Sequence, residues 1–197
     1  MGILKERFAS KFETVSTEIK EIIKEHGNKK IGEVSLSQVY QGMRGITGLV
    51  TETSLLDSQE GIRFRGYTIP ELQEKLPKAP NGTEPLPEGL LYLMLIGNLP
   101  TAEDVQHVTN VLQRRSHVPS HVFATIEALP ISSHPMTQFV VGIMALQTES
   151  EFAKKYAKGM SKKDYWDYAY EDSMNLIARL PRIAAYIYRR KYKGGVH

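Results

Sequence analysis

MTQFVVGIMAL, residues Met136–Leu146, is apolar on nearly all sides and carries Gly142 at its middle. Wound as a helix it leaves no polar stripe, and a helix that is hydrophobic all round is a buried one. A glycine there permits close approach by another backbone. The reading of this stretch sets the class of the chain, because the segments on either side are helical too. Towards the C-terminus, Glu149–Lys158 and Asp164–Leu180 have helical patterning, and the second continues or kinks at Pro181 towards Lys193. Ser161 with Asp164 has the form of a capping box in its Asp variant. Towards the N-terminus, Ser120–Leu129 is a helix stopped by Pro130, Thr101–Arg115 is a more polar helix opened by Thr101 with Asp104, and Leu90–Ile96 is a buried helix closed by Gly97. Pro77–Pro87, rich in Pro, Asn and Gly, reads as a surface loop, and Thr68 with Glu71 forms a capping box before it.

The first third is more varied. Phe8, Phe12, Val15, Ile19 and Ile22 recur at spacings of four and three with Lys and Glu opposite, which predicts an amphipathic helix ending near His26–Gly27. Lys30–Leu36 is short and partly alternating and is compatible with a strand, and a brief helical turn is expected over Ser37–Met43. Gly42, Gly45 and Gly48, three glycines in seven residues around Arg44, argue for irregular backbone. A hairpin is expected near residues 49–66: Leu49–Leu56, a turn over Asp57–Gly61, then Ile62–Gly66, with Ile62 and Phe64 on an apolar face and Arg63 and Arg65 on a basic one. The expected class is therefore mainly α with one small β-hairpin. Neither an internal repeat nor a convincing domain boundary is visible.

Bulk properties narrow the functions. The 197 residues are 41% hydrophobic and 24% charged, an ordinary globular balance able to build a substantial core. A net charge of +3 is too mild to imply nucleic acid. There are no cysteines, so disulfides and thiolate metal sites are excluded. The longest apolar run, Leu90–Ile96, is far below the roughly 20 residues of a membrane-crossing helix. Met1–Ser10 has neither an apolar signal stretch nor a small-residue cleavage site, and Glu6, Glu13 and Glu18 are out of place in a transit peptide.

The sequence contains no phosphate loop, dinucleotide fingerprint or Gly-x-Ser-x-Gly elbow. His117 and His121 stand four apart but straddle a helix start at Pro119–Ser120, which is a poor frame for a metal pair. His134 precedes Pro135 at a helix entrance, where a hydrogen-bonded junction histidine is the simpler reading and substrate contact the other. His26 sits at a helix end, His107 on a polar helix and His197 at the terminus. The basic run Arg189, Arg190, Lys191, Lys193 ends a long helix, where cations complement the macrodipole, and no wider basic field supports nucleic-acid binding. Arg44, held between glycines, can face an anion such as phosphate or pair with a local carboxylate; spacing alone leaves both open. Lys162 and Lys163 at a helix start are mildly unfavourable against the dipole, which a phosphate ligand or plain solvation would each explain.

Five strings then stand out, in this order: GMRGITGLV (42–50), EGIRFRG (60–66), EPLPEGL (84–90), HPM (134–136) and YEDS (170–173). Together, with their gaps, they resemble citrate synthases of the eukaryotic mitochondrial type, from about Leu4 to Lys193. The resemblance implies a multi-helical two-domain fold, of which these residues would be the N-terminal part of the large helical domain. It also implies a homodimer in the mitochondrial matrix, condensation of acetyl-CoA with oxaloacetate to citrate and CoA, and no metal or tightly bound cofactor. In that family an Asp base and two His residues do the chemistry, in segments such as Gly-Leu-Ala-Gly-Pro-Leu-His-Gly and Gly-Tyr-Gly-His. Neither string occurs here, and no histidine of this chain matches a catalytic position.

What the resemblance assigns to these residues is narrower. Arg44 matches an arginine on a CoA phosphate. Lys162 falls where animal relatives carry an arginine reaching the partner subunit's CoA, with the charge kept and the bidentate geometry lost. Ser120–Leu129 and Met136–Leu146 match helices of the family's dimer interface. The expectation is an N-terminal portion of a citrate synthase, inactive alone. The alternatives are a non-catalytic structural or assembly relative and a 2-methylcitrate synthase.

Overall fold

The computed structural model describes residues 2–194; His197 lies outside them. The chain divides into two compact units, Met1–Val108 and Thr109–His197, at a point inside one helix, which is why no change of composition marks it.

In the first unit, α1 spans Ile3–His26. It ends where the sequence predicts, but of its apolar stripe Phe12, Ile19 and Ile22 are exposed, and Leu4 is its one buried residue. A lone amphipathic helix thus shows its apolar face to solvent over most of its length. Lys30–Leu36 is not a strand. Among the described residues nothing pairs with it, Ile31 and Val34 are exposed, and Lys30 forms an ion pair with Glu33. The expected short turn is α2, Leu36–Tyr40.

The hairpin forms, shorter than expected and with a third strand. β1 (Ser54–Asp57) pairs antiparallel with β2 (Gly61–Phe64), which pairs with β3 (Tyr67–Thr68). The Asp57 carboxylate accepts from the amides of Gln59 (2.7 Å) and Glu60 (2.9 Å), and the turn closes. Between β2 and β3 the two loop residues Arg65 and Gly66 both have positive φ, 48° and 88°. That is the two-residue turn whose twist matches paired strands. The expected basic face is thereby corrected. Arg65 leaves the strand, and its guanidinium donates through Nε (3.2 Å) and Nη2 (2.7 Å) to the carbonyl of Met94.

α3 (Ile69–Lys75) opens with the Thr68–Glu71 capping box, in which both reciprocal bonds are made. α4 runs from Pro87 to Ile96 and stops at Gly97, whose φ of 95° is natural only to glycine. α5 is Ala102–Arg115. Leu72, Leu76 and Leu93 form one buried cluster of this unit with Phe64, Tyr67, Leu90 and Leu99 packed on it, and Tyr92, Ile96, Val105 and Val108 are buried as well. Arg7 of α1 donates to the Tyr92 hydroxyl and to Asp104, each at 2.5 Å.

The second unit is built on α6 (Ser120–Glu127), α7 (Pro135–Ala145), α8 (Glu151–Tyr156) and α9 (Tyr165–Tyr192), with short 3-10 turns at Leu146–Glu149 and Lys162–Asp164. α9 continues through Pro181. Proline removes one helical hydrogen bond, and Ala178, Ile183 and Ile187, all buried, hold the helix on both sides of it. Val118, Val122, Ile126, Leu146, Ile183 and Ile187 make the core. Two expectations change here. α7 is not buried all round in this chain, because Met136, Val140 and Met144 form an exposed stripe four residues apart. Gly142 does allow close approach, but to side chains: a Cβ there would stand 2.9 Å from Ile126 Cδ1 and 3.2 Å from Ile183 Cγ2.

Both isoleucines are fully buried and cannot swing into solvent. Gly142→Ala should therefore destabilise the chain by about 1–2 kcal/mol, overpacking outweighing the better helix propensity. Adding Ile126→Val, which removes the Cδ1 methyl, should recover part of the loss in urea unfolding. Equal or greater stability of Gly142→Ala alone would show that the site has room.

Candidate functional site

Arg44 sits in a turn whose shape depends on three left-handed residues, Gly42 (φ 79°), Met43 (φ 60°) and Gly45 (φ 72°). The turn is tied to α2. Ser35 caps that helix by accepting from the Gln38 amide at 3.2 Å, while Gln38 Oε1 accepts from the Ser35 amide at 3.0 Å and its hydroxyl at 3.2 Å. The same Gln38 then reaches forward: its Nε2 donates to the Arg44 carbonyl at 3.2 Å, and its own carbonyl accepts from the Met43 amide at 2.7 Å. Arg44 is exposed, and among the described residues its guanidinium has no hydrogen-bond or ion-pair partner. Of the two readings open from spacing, the pairing with a local carboxylate is not seen among the described residues.

Lys162 belongs to the second unit and to the 3-10 turn before α9, not to the helix itself. Ser161 Oγ accepts from the Lys163 amide at 3.4 Å, so the Ser161–Asp164 box closes on Lys163 rather than on Asp164. α9 begins at Tyr165 with Asp164 at its cap position and Asp167 in its first turn. Acids thus occupy the dipole-favoured places, which removes the misfit expected of the two lysines. Both lysines are exposed.

Two of the histidines make structural bonds. His121 Nε2 lies 3.0 Å from the Ala145 carbonyl and 3.3 Å from Thr148 Oγ1. His134 is the cap of α7, its Nδ1 accepting from the Met136 amide at 3.1 Å. Among the described residues no group of three His, Asp or Glu could hold a metal ion.

The basic run at the end of α9 has a use that spacing did not reveal. Arg190 donates to the carbonyls of Leu129 (2.6 Å) and Glu127 (3.3 Å) and to Gln138 Oε1 (2.8 Å). Lys191 donates to the Ser133 carbonyl at 3.0 Å. These carbonyls follow the last turn of α6, where a helix leaves acceptors unpaired. Gln138 is fully buried and satisfied, its Nε2 donating to the Ser133 carbonyl at 2.9 Å. One turn earlier on α9 the Tyr186 hydroxyl donates to the Glu127 carboxylate. Asp172 plays a matching part for α8, accepting from Ser150 Oγ (2.5 Å) and the amides of Glu151 (2.8 Å) and Phe152 (3.1 Å). It lies in the YEDS string, whose fixed order therefore includes a helix cap.

Comparison with known proteins agrees with this architecture. The family model described as "Citrate synthase, C-terminal domain" matches residues 42–196. A mitochondrial citrate synthase of Daucus carota is 57% identical over 177 residues, covering 90% of this chain and 38% of the carrot protein. A mitochondrial 2-methylcitrate synthase of Yarrowia lipolytica is 54% identical over 192 residues, 98% of this chain and 41% of that protein. Among solved structures, citrate synthase of the archaeon Thermoplasma acidophilum, crystallised with carboxymethyl coenzyme A and oxaloacetate, aligns with a TM-score of 0.59 at 19% identity. The alignment covers 78% of this chain and 36% of that one and speaks for the fold. The described architecture, helices with one small sheet, is that of the multi-helical synthases. The chain belongs to the citrate synthase family, and it spans about 40% of the length of the curated relatives it matches. The names of those relatives place them in mitochondria, as the resemblance implied.

Burial and the hydrogen bond to Glu127 push the Tyr186 phenol up from its ordinary value of 10.0 to about 12. A phenol whose folded value is raised contributes stability that is intact below pH 10 and is lost as pH rises towards 12. Stability of the chain should fall over that window, and Tyr186→Phe should remove this part of the alkaline loss. Ultraviolet titration of tyrosinate alongside denaturant unfolding reads both, and a Tyr186 that ionises near pH 10 would contradict the assignment.

Proposed function

We propose that these residues are the N-terminal portion of a citrate synthase, which joins the methyl carbon of acetyl-CoA to the carbonyl carbon of oxaloacetate and hydrolyses the thioester to give citrate and CoA. The reading rests on family membership and on the exposed Arg44 guanidinium, carried on a turn built for it and without a carboxylate partner among the described residues. The segment's share is scaffold, dimer surface and part of the coenzyme contact: Arg44 on a CoA phosphate, and Lys162, exposed on its 3-10 turn, on the CoA of the partner subunit. The carbanion chemistry needs a base and polarising histidines. His121 and His134 are engaged in structural bonds, and neither of the family's catalytic strings occurs in these residues, so the segment is inactive by itself. No metal or tightly bound cofactor takes part.

A 2-methylcitrate synthase is the second reading, favoured by the 54% identity to the Yarrowia protein. It differs in using propionyl-CoA. Steady-state kinetics of the full-length enzyme with acetyl-CoA and propionyl-CoA separates the two through their kcat/KM ratio.

The 197-residue chain should release no CoA from acetyl-CoA and oxaloacetate above the uncatalysed rate. In the full-length enzyme, Arg44→Ala should raise KM for acetyl-CoA about tenfold, the value of one charge-assisted hydrogen bond, with kcat and KM for oxaloacetate within about twofold. Enzyme-like turnover by the short chain, or an unchanged KM in the variant, would overturn the reading.

The dimer surface is assigned to Ser120–Leu129 and Met136–Leu146. In support, α7 presents Met136, Val140 and Met144 outward, an apolar stripe four residues apart, as a two-fold helix contact requires. Val140→Asp, at an exposed position that leaves the core intact, should convert the full-length dimer to monomer in sedimentation velocity. A dimer that persists would place the interface elsewhere.

A further inference from the structure

We infer that Gln38 is the residue that positions Arg44 for its anionic ligand, a role that rests on the coenzyme reading of Arg44. The Arg44 turn has little else to hold it. Its flanking residues are left-handed, one of them the non-glycine Met43, and such a backbone persists only when its surroundings fix it. Glycines at 42 and 45 make the shape accessible without selecting it. The contacts that select it come from one residue. Gln38 accepts the Met43 amide on its backbone carbonyl and donates its Nε2 to the Arg44 carbonyl. Its other side-chain polar atom, Oε1, is occupied by the amide and hydroxyl of Ser35. A side-chain amide is needed for this arrangement, since one end must accept at the helix cap while the other donates to the turn. Leaving the guanidinium itself free, the bond fixes the peptide from which it projects, so the cation meets its ligand already placed.

The division of labour makes a selective variant available. Gln38→Glu keeps an acceptor at the third helical position, where Glu completes a capping box as well as Gln does, but it cannot donate to the Arg44 carbonyl. In the 197-residue chain, amide exchange over residues 42–46 should quicken about 3- to 10-fold, the range of one net hydrogen bond, while exchange in α2 and the thermal midpoint stay as in the wild type. In the full-length enzyme the same variant should raise KM for acetyl-CoA about 3- to 10-fold with kcat and KM for oxaloacetate unchanged. Gln38→Ala should show the same KM effect and also lose the cap, seen as faster exchange in α2. Unchanged exchange over 42–46, or wild-type KM in Gln38→Glu while Arg44→Ala is impaired, overturns the positioning role and leaves the coenzyme reading standing. Wild-type KM in Arg44→Ala overturns the coenzyme reading itself.

Discussion

The second unit depends on one close approach, that of Ile126 and Ile183 to the bare Cα of Gly142. Helices normally pack 8–10 Å apart, spaced by their side chains. Without a Cβ at 142, the fully buried tips of α6 and α9 fill the space a side chain would have taken. The polar network follows from that apposition. Arg190 of α9 can reach the end of α6 and Gln138 of α7 at once because the three helices meet nearby, at Gly142, Ile126 and Ile183. Gln138, fully buried, would be a liability unless both ends of its amide were engaged, and they are. Packing and polar satisfaction thus reinforce each other.

The first unit is held differently. Beside its buried leucine cluster, a charged residue carries part of the cohesion. Arg7 links α1 to Tyr92 on α4 and Asp104 on α5. Burial would push the Asp104 carboxyl up, but the Thr101 amide and hydroxyl together with Arg7 outweigh it and hold the group below its ordinary value. The stabilisation is therefore present above the usual carboxylate range and fades as pH falls through the lowered value.

Local chemistry made much of this legible. Thr68 with Glu71 and Thr101 with Asp104 announced helix starts, Gly97 a stop and Gly142 a contact, because each acts within a few residues. What depended on tertiary partners was not legible. Lys30–Leu36 alternates like a strand but pairs with nothing among the described residues, and β3 is two residues long, below any periodicity. Arg65 sits in phase with Arg63 yet turns away, since its φ of 48° and its bond to Met94 arise from a turn and a helix end 29 residues distant. The run 189–193 does end a long helix, but the carbonyls that Arg190 and Lys191 satisfy belong to α6 and the loop after it rather than to their own helix. At the candidate site the glycines exposed Arg44 to notice, whereas Gln38, six residues away on a helix, gave no sign beyond its part in a cap.

Apolar periodicity has the same limit, and it bears on what the exposed faces mean. The spacing of Phe8, Phe12, Val15, Ile19 and Ile22 fixes which face of α1 is apolar, just as the stripe Met136, Val140, Met144 fixes one on α7. Nothing in either pattern says what covers the face. Each large side chain on such a face would gain about 1.5–3 kcal/mol of transfer free energy if it were buried. Sequences keep such residues where something buries them. The two units close their own cores around Leu93 and Ile183, and the stripes are then surplus to those cores. Under the proposed homodimer, the α7 stripe is the surface that the second subunit would cover.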